Sequence, residues 1–155
     1  MADFDKERVT SILNSILEQE LAGVVRYTHY SFLVFGHGRI PVVSWLREQA
    51  NESLLHAHQA GEMITHLGAY PSLGIGPLLD RHPGSVDAIL REALVTENKA
   101  LQFYHALLDA VAGHSVMLEE YARQMIAAEE MHAGEVEKML RRQGSIVEAV
   151  PPDGK

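Results

Sequence analysis

The stretch AAEEMHAGE, positions 127–135, places two glutamates and a histidine close together in an otherwise helical pattern. Glu129 and His132 are three residues apart, so both side chains leave one helix face and can reach a single ion. Glu20 and Glu97 sit in the middle of two other apolar patterns, and His56 lies in a fourth segment, NESLLHAHQ. Carboxylates with some imidazole, and no thiolate, suit iron or manganese better than zinc or copper. Four carboxylates and two imidazoles would balance two divalent cations in charge.

The fourth carboxylate has to come from the segment around His56. Ser53 stands three residues before it and Glu52 four. A four-residue step rotates a helix by about 40° and a three-residue step by about 60° the other way. Glu52 can therefore share a face with His56 while approaching an ion from the opposite side, and whether it binds stays open at this point. Two tyrosines extend the pattern. Tyr27 follows Glu20 by seven residues and Tyr104 follows Glu97 by seven, so each phenol lies two turns along its glutamate's face. A buried phenol needs a hydrogen-bond partner, and a ligand carboxylate on a facing helix would supply it.

Four helices must position these groups. The first pattern runs from about Asp5 to Phe35 and stops at Gly36-His37-Gly38. Pro41 suits the first turn of a second helix, which ends at Gly68. The connection AYPSLGIGPLLDRHPG is too broken by glycine and proline for a long helix. Ser85 caps a third helix with Asp87 in its first turn; this helix stops near Gly113, Ser115 caps the fourth, and Gly144 closes it. No useful segment alternates with period two, so no strand is expected. Three stripes at 3/4 spacing face inward. They are Val9, Leu13, Ile16, Glu20, Gly23, Tyr27, Tyr30, Val34; Leu90, Ala93, Glu97, Ala100, Tyr104, Leu107, Val111; and Leu118, Tyr121, Met125, Glu129, His132, Val136, Met139. The reading is an all-α antiparallel four-helix bundle with a long crossover between the second and third helices. Residues 1–144 form the bundle and 145–155 a loose tail. Met63, Met125 and Met139 read as core, and His29, His37, His58, His66, His82, His105 and His114 as surface or loop residues.

The glutamates on these stripes are the anomaly. An ionised carboxylate in an apolar interior costs on the order of several kcal/mol even after relaxation. No Lys or Arg occupies a stripe position, so a divalent metal is the economical counter-charge. Clustered carboxylates can instead hold protons, which leaves a metal-free helical interaction module as a reading of another class.

The rest of the composition narrows the function. The absence of cysteine removes disulfides, zinc ribbons and thiol catalysis, and nothing argues for an oxidising compartment; a cytoplasmic location is expected. The polar start MADFDKERVT does not read as a secretory leader, and no apolar run approaches a bilayer span. A formal charge of −8 argues against nucleic acid as the main partner and is compatible with attracting cations.

With ELAGVVRY around Glu20, HAHQAGEMITHLGAYP from His56, ENKALQFY from Glu97 and AAEEMHAGE at Glu129 and His132, the chain resembles the ferritin-like di-iron proteins, closest to the bacterioferritins. The resemblance covers about residues 5–143. It implies a ferroxidase centre inside each subunit: Glu20 and His56 would serve one iron, Glu97 and His132 the other, with Glu129 and the second-helix carboxylate bridging them. Ferrous iron would be oxidised to ferric by dioxygen or peroxide, with iron storage an open extension. A non-storing di-iron or di-manganese oxidase protecting against oxidative stress is the alternative. Bacterioferritins have glutamate where this chain has Ser53, which bears on the role of Glu52. They bind haem through a methionine where this chain has Leu54, so no haem is expected. Such proteins also assemble, which implies a homo-oligomer, a dimer or larger up to a cage.

Overall fold

A computed structural model of the chain describes residues 3–78 and 81–141. It contains α1 (Lys6–Leu33), α2 (Arg39–His66), α3 (Val86–Val111) and α4 (Val116–Leu140), with no strand among the described residues. The polar starts are capped as their residue types dictate. Asp5 accepts the Arg8 N–H at 3.0 Å, Ser85 that of Ala88 at 3.1 Å and Ser115 that of Leu118 at 3.3 Å. Gly68, just past α2, has φ +80°, the left-handed conformation that ends helices without steric cost in glycine. The fourth helix ends at Leu140, short of Gly144; that glycine and the tail expected at 145–155 lie outside the described residues.

Paired side chains give the register. Glu20 meets Tyr104 and Tyr27 meets Glu97, so α1 and α3 run antiparallel. Glu20 faces His56, and Tyr27 packs edge-on to Trp45, so α1 and α2 do too. His56 faces Glu129 while Glu52 faces His132, which makes α2 and α4 antiparallel. It follows that α2 and α3 are parallel, so the connection between them spans the length of the bundle. The crossover packs tightly on α1. The Gly76 N–H donates to the Glu18 carbonyl at 2.8 Å, and a Cβ at Gly76 would stand 2.9 Å from that oxygen. Only glycine fits this approach.

The apolar core lies in two parts. One holds Val9, Leu13, Ile16, Ile64, Leu107, Val111 and Leu118; the other holds Tyr30, Val34, Leu46, Ile89 and Ala93. A belt of buried polar residues separates them: Glu20, His56, Glu97 and Glu129. The three expected stripes are buried along nearly their whole length. Met139 is the exception, being exposed on α4 where core was expected. The pairing of Tyr104 with Tyr121 sets Met139 level with the first turn of α3, where the bundle ends and none of the other described residues covers it. Met63 is partly buried against the core and Met125 is within it.

Candidate metal centre

The polar belt brings five of the sequence-selected residues into two overlapping groups. Glu20, His56 and Glu129 each direct a donor atom so that the three lie within 4.8 Å of one another, and Glu97, Glu129 and His132 do the same. Glu129 belongs to both. It is 2 % exposed, and its Oε2 has no hydrogen-bond partner. A buried carboxylate oxygen left bare is costly, and a cation between the two groups would satisfy it. The donor set of carboxylate and imidazole from four helices thus fits a pair of divalent ions.

His56 presents Nδ1 inward, 3.5 Å from Glu20 and 3.3 Å from Glu129. Its Nε2 lies 3.8 Å from Glu52 Oε1, while Glu52 Oε2 lies 3.0 Å from His132 Nε2. Glu52 therefore spans the two histidines despite standing one position before Ser53. Ser53 is buried and turned toward α1, where a Cβ on Gly23 would meet its Oγ at 2.9 Å. Leu54 lies on the exposed surface of α2.

Both tyrosines reach carboxylates of the facing helix. Tyr104 donates to Glu20 Oε1 at 2.9 Å, and Tyr27 donates to Glu97 Oε1. The Glu20 Oε1 that accepts from Tyr104 is also the oxygen nearest His56 Nδ1, at 3.5 Å. The metal-free cluster holds protons instead of cations. Burial, reinforced by Glu97, pushes the Glu129 carboxyl up to about 10. Burial pulls His56 down, but the carboxylates of Glu129 and Glu20 outweigh it and lift the imidazole to about 10.

The cluster is not equally closed on all sides. α1 packs on α2 and α3, and α3 on α4, whereas α2 and α4 bring no Cα atoms within 8 Å of each other. The two ligand candidates on that wider side, Glu52 and His132, are partly exposed. The α2/α4 side is thus the one on which ligand candidates reach solvent.

One charged neighbour escaped the sequence reading. Arg26 is 6 % exposed, donates from Nη1 to the Pro77 carbonyl at 2.8 Å, and forms no ion pair among the described residues. Burial lowers its pKa, against the opposing pull of Tyr30, Tyr27, Glu97 and Glu20. Arg26 sits beside the stripe rather than on it, and the crossover that covers it lies far along the chain. His29 and His82, expected as surface or loop residues, stack on each other with ring nitrogens 3.0 Å apart.

Comparison with known proteins bears on the family and the fold. The family model of the ferritin-like domain matches residues 10–144. No curated protein matches. A ferritin-like, diiron-carboxylate protein of Bacillus anthracis str. Ames is 24 % identical with a TM-score of 0.81, covering 91 % of this chain and 100 % of that one. The bacterioferritin of Rhodobacter capsulatus, with a metal-free dinuclear site and haem iron, is 24 % identical at 0.78, covering 86 % and 84 %. A dodecameric thioferritin of Bacteroides fragilis, a bacterioferritin-related protein, is 21 % identical at 0.80, covering 88 % and 86 %. At these identities the likeness speaks to the fold.

Proposed function

The chain belongs to the ferritin-like domain family, and on that ground we propose that it binds two iron ions between its four helices and oxidises ferrous to ferric iron with dioxygen or peroxide. The observation that carries this reading is Glu129: one buried carboxylate, common to two donor groups, with an oxygen that accepts no hydrogen bond among the described residues. The diiron-carboxylate description of the Bacillus anthracis structure supports the choice of iron.

In this reading Glu20 and His56 hold one ion, Glu97 and His132 the other, and Glu129 and Glu52 lie between them. Bound ferrous iron supplies the electrons that reduce the oxidant. The protein supplies the rest. Glu52 and His132 receive cations on the α2/α4 side. Tyr27 and Tyr104 fix the Glu97 and Glu20 carboxylates so that little reorganisation follows loading. The apolar clusters above and below exclude water from the belt. Haem is not part of the reading, because Leu54 offers no lone pair to iron. Homo-oligomerisation is part of it, supported by the dodecamer of Bacteroides fragilis, as is the cytoplasmic location expected of a cysteine-free chain.

Aerobic titration of the purified metal-free protein with ferrous iron tests the proposal. Fast oxidation that saturates at about two irons per chain is expected. Continued loading beyond that ratio adds storage, whereas a stop there describes a non-storing oxidase. No binding, and oxidation no faster than in buffer, defeats the assignment.

A further inference from the structure

The belt contains a charge that belongs to neither ligand group. Arg26 is buried, and it lines a cavity of about 10 Å³ together with Glu20, Tyr27, Ser53 and Glu97. The guanidinium thus lines the same small space as two of the ligand carboxylates. Its hold on the Pro77 carbonyl, in a crossover itself bonded to α1 through Gly76, keeps the group from swinging outward.

We propose that Arg26 is a fixed counter-charge that weakens cation retention at the centre and so makes it a site of passage rather than of permanent residence. The proposal rests on the two-metal reading above. Glu20, Glu52, Glu97 and Glu129 together can offset two divalent ions, with the histidines neutral. Arg26 adds one positive charge that this balance does not require. Protons on the belt depart when a cation enters, but a guanidinium does not deprotonate in proteins. The first ion enters a belt that is still strongly negative. The repulsion from Arg26 acts on both ions, but the second enters a belt whose carboxylates are half neutralised, so less attraction remains to offset it. A ferric ion carries a further charge and is repelled more strongly than a ferrous one. The same guanidinium steadies the empty belt, where the carboxylates otherwise face the two tyrosines, the two histidines and one another.

Titration with cobalt(II), which binds such donors without being oxidised by air under mild conditions and reports through its visible bands, separates binding from turnover. Arg26→Met removes the charge and keeps the apolar stem. Arg26→Gln also removes it and keeps an amide donor for the Pro77 carbonyl. Arg26→Lys keeps the charge. Expected is a second cobalt ion bound at least about tenfold more tightly in the neutral variants, a difference of about 1.4 kcal/mol, with a slower release in chelator, and Arg26→Lys within about threefold of the wild type. Unchanged or weaker binding in whichever neutral variant keeps the wild-type helical content overturns the proposal, as does a Lys variant that behaves like the neutral ones. A wild type that binds two ions, with neutral variants no tighter, defeats this inference alone. A wild type that binds no cobalt defeats the two-metal reading and this inference with it.

Discussion

Glu52 Oε2 stands 3.0 Å from His132 Nε2 on the facing helix, and its other oxygen stands 3.8 Å from His56 Nε2 on its own. A four-residue step on α2 thus delivers a carboxylate between the two histidines, while Ser53 turns to the α1 side against Gly23. Because Glu52 is partly exposed, its loss removes little folding energy. Glu52→Gln is therefore expected to leave the melting temperature of the metal-free protein within about 2 °C of wild type, a fraction of 1 kcal/mol. It should weaken loading of the metal pair by at least about tenfold, comparable to loss of a supporting group at other metal sites. Thermal melts in chelator and cobalt titration measure the two effects. Equal affinity in the variant would remove Glu52 from the centre.

Tyr27 and Tyr104 lie on opposite apolar clusters and reach across to each other's helix, Tyr27 to Glu97 and Tyr104 to Glu20. Phenylalanine at either position preserves the ring packing and deletes one donor to a buried carboxylate. Each single variant is expected to lose about 1–2 kcal/mol of stability and about 10- to 100-fold in metal affinity. The ordering matters: Tyr104→Phe acts on the ion held by Glu20 and His56, and Tyr27→Phe on the other. Cobalt bands that lose one component in one variant and the other component in the second check this assignment.

What the sequence reveals of this centre, and what it hides, follows from the range of each interaction. The stripes are visible because helical periodicity is local, and Glu20, Glu97 and Glu129 stand out on them as polar residues in apolar rows. The tyrosines are visible for the same reason, two turns from their glutamates. Arg26 is not: it neighbours Tyr27 off the stripe and reads as a solvated helix residue until the crossover covers it with Pro77, 51 positions away. Met139 errs in the opposite sense. Its periodicity is right, but periodicity carries no information on where the facing helix begins. The role of Glu52 falls between these cases, since spacing allowed a shared face with His56 and only the position of His132 on α4 shows what lies between them.

Glu129 is the residue at which stability and function oppose each other. Its carboxyl is 2 % exposed and burial holds it far above the ordinary range, so the fold disfavours the ionised form. Glu129→Gln keeps the shape and removes that penalty. The metal-free variant is expected to melt a few degrees above the wild type near pH 8, on the order of 1 kcal/mol, while losing cooperative loading of two ions because both donor groups share this carboxylate. A variant that is less stable than wild type at that pH would show that the His56–Glu129 contact outweighs the burial of the charge.

The same raised groups set the pH dependence of the empty protein. His56 and Glu129 form one buried pair in which the fold keeps protons bound above the ordinary values of 6.5 and 4.5, up to about 10. The folded state therefore binds more protons than the unfolded one across this range, and stability falls as pH rises. The contribution of the pair is full at low pH, declines as pH rises above about 4.5 and is lost as pH passes through about 10. In chelator, the melting temperature is expected to drop steadily between about pH 6.5 and pH 10. Cobalt reverses the trend at the lower end, because binding must displace these protons and so tightens as pH rises. Melts at matched ionic strength, with and without cobalt, would show two curves diverging with pH. Parallel curves would mean that protons and cations do not compete for this belt.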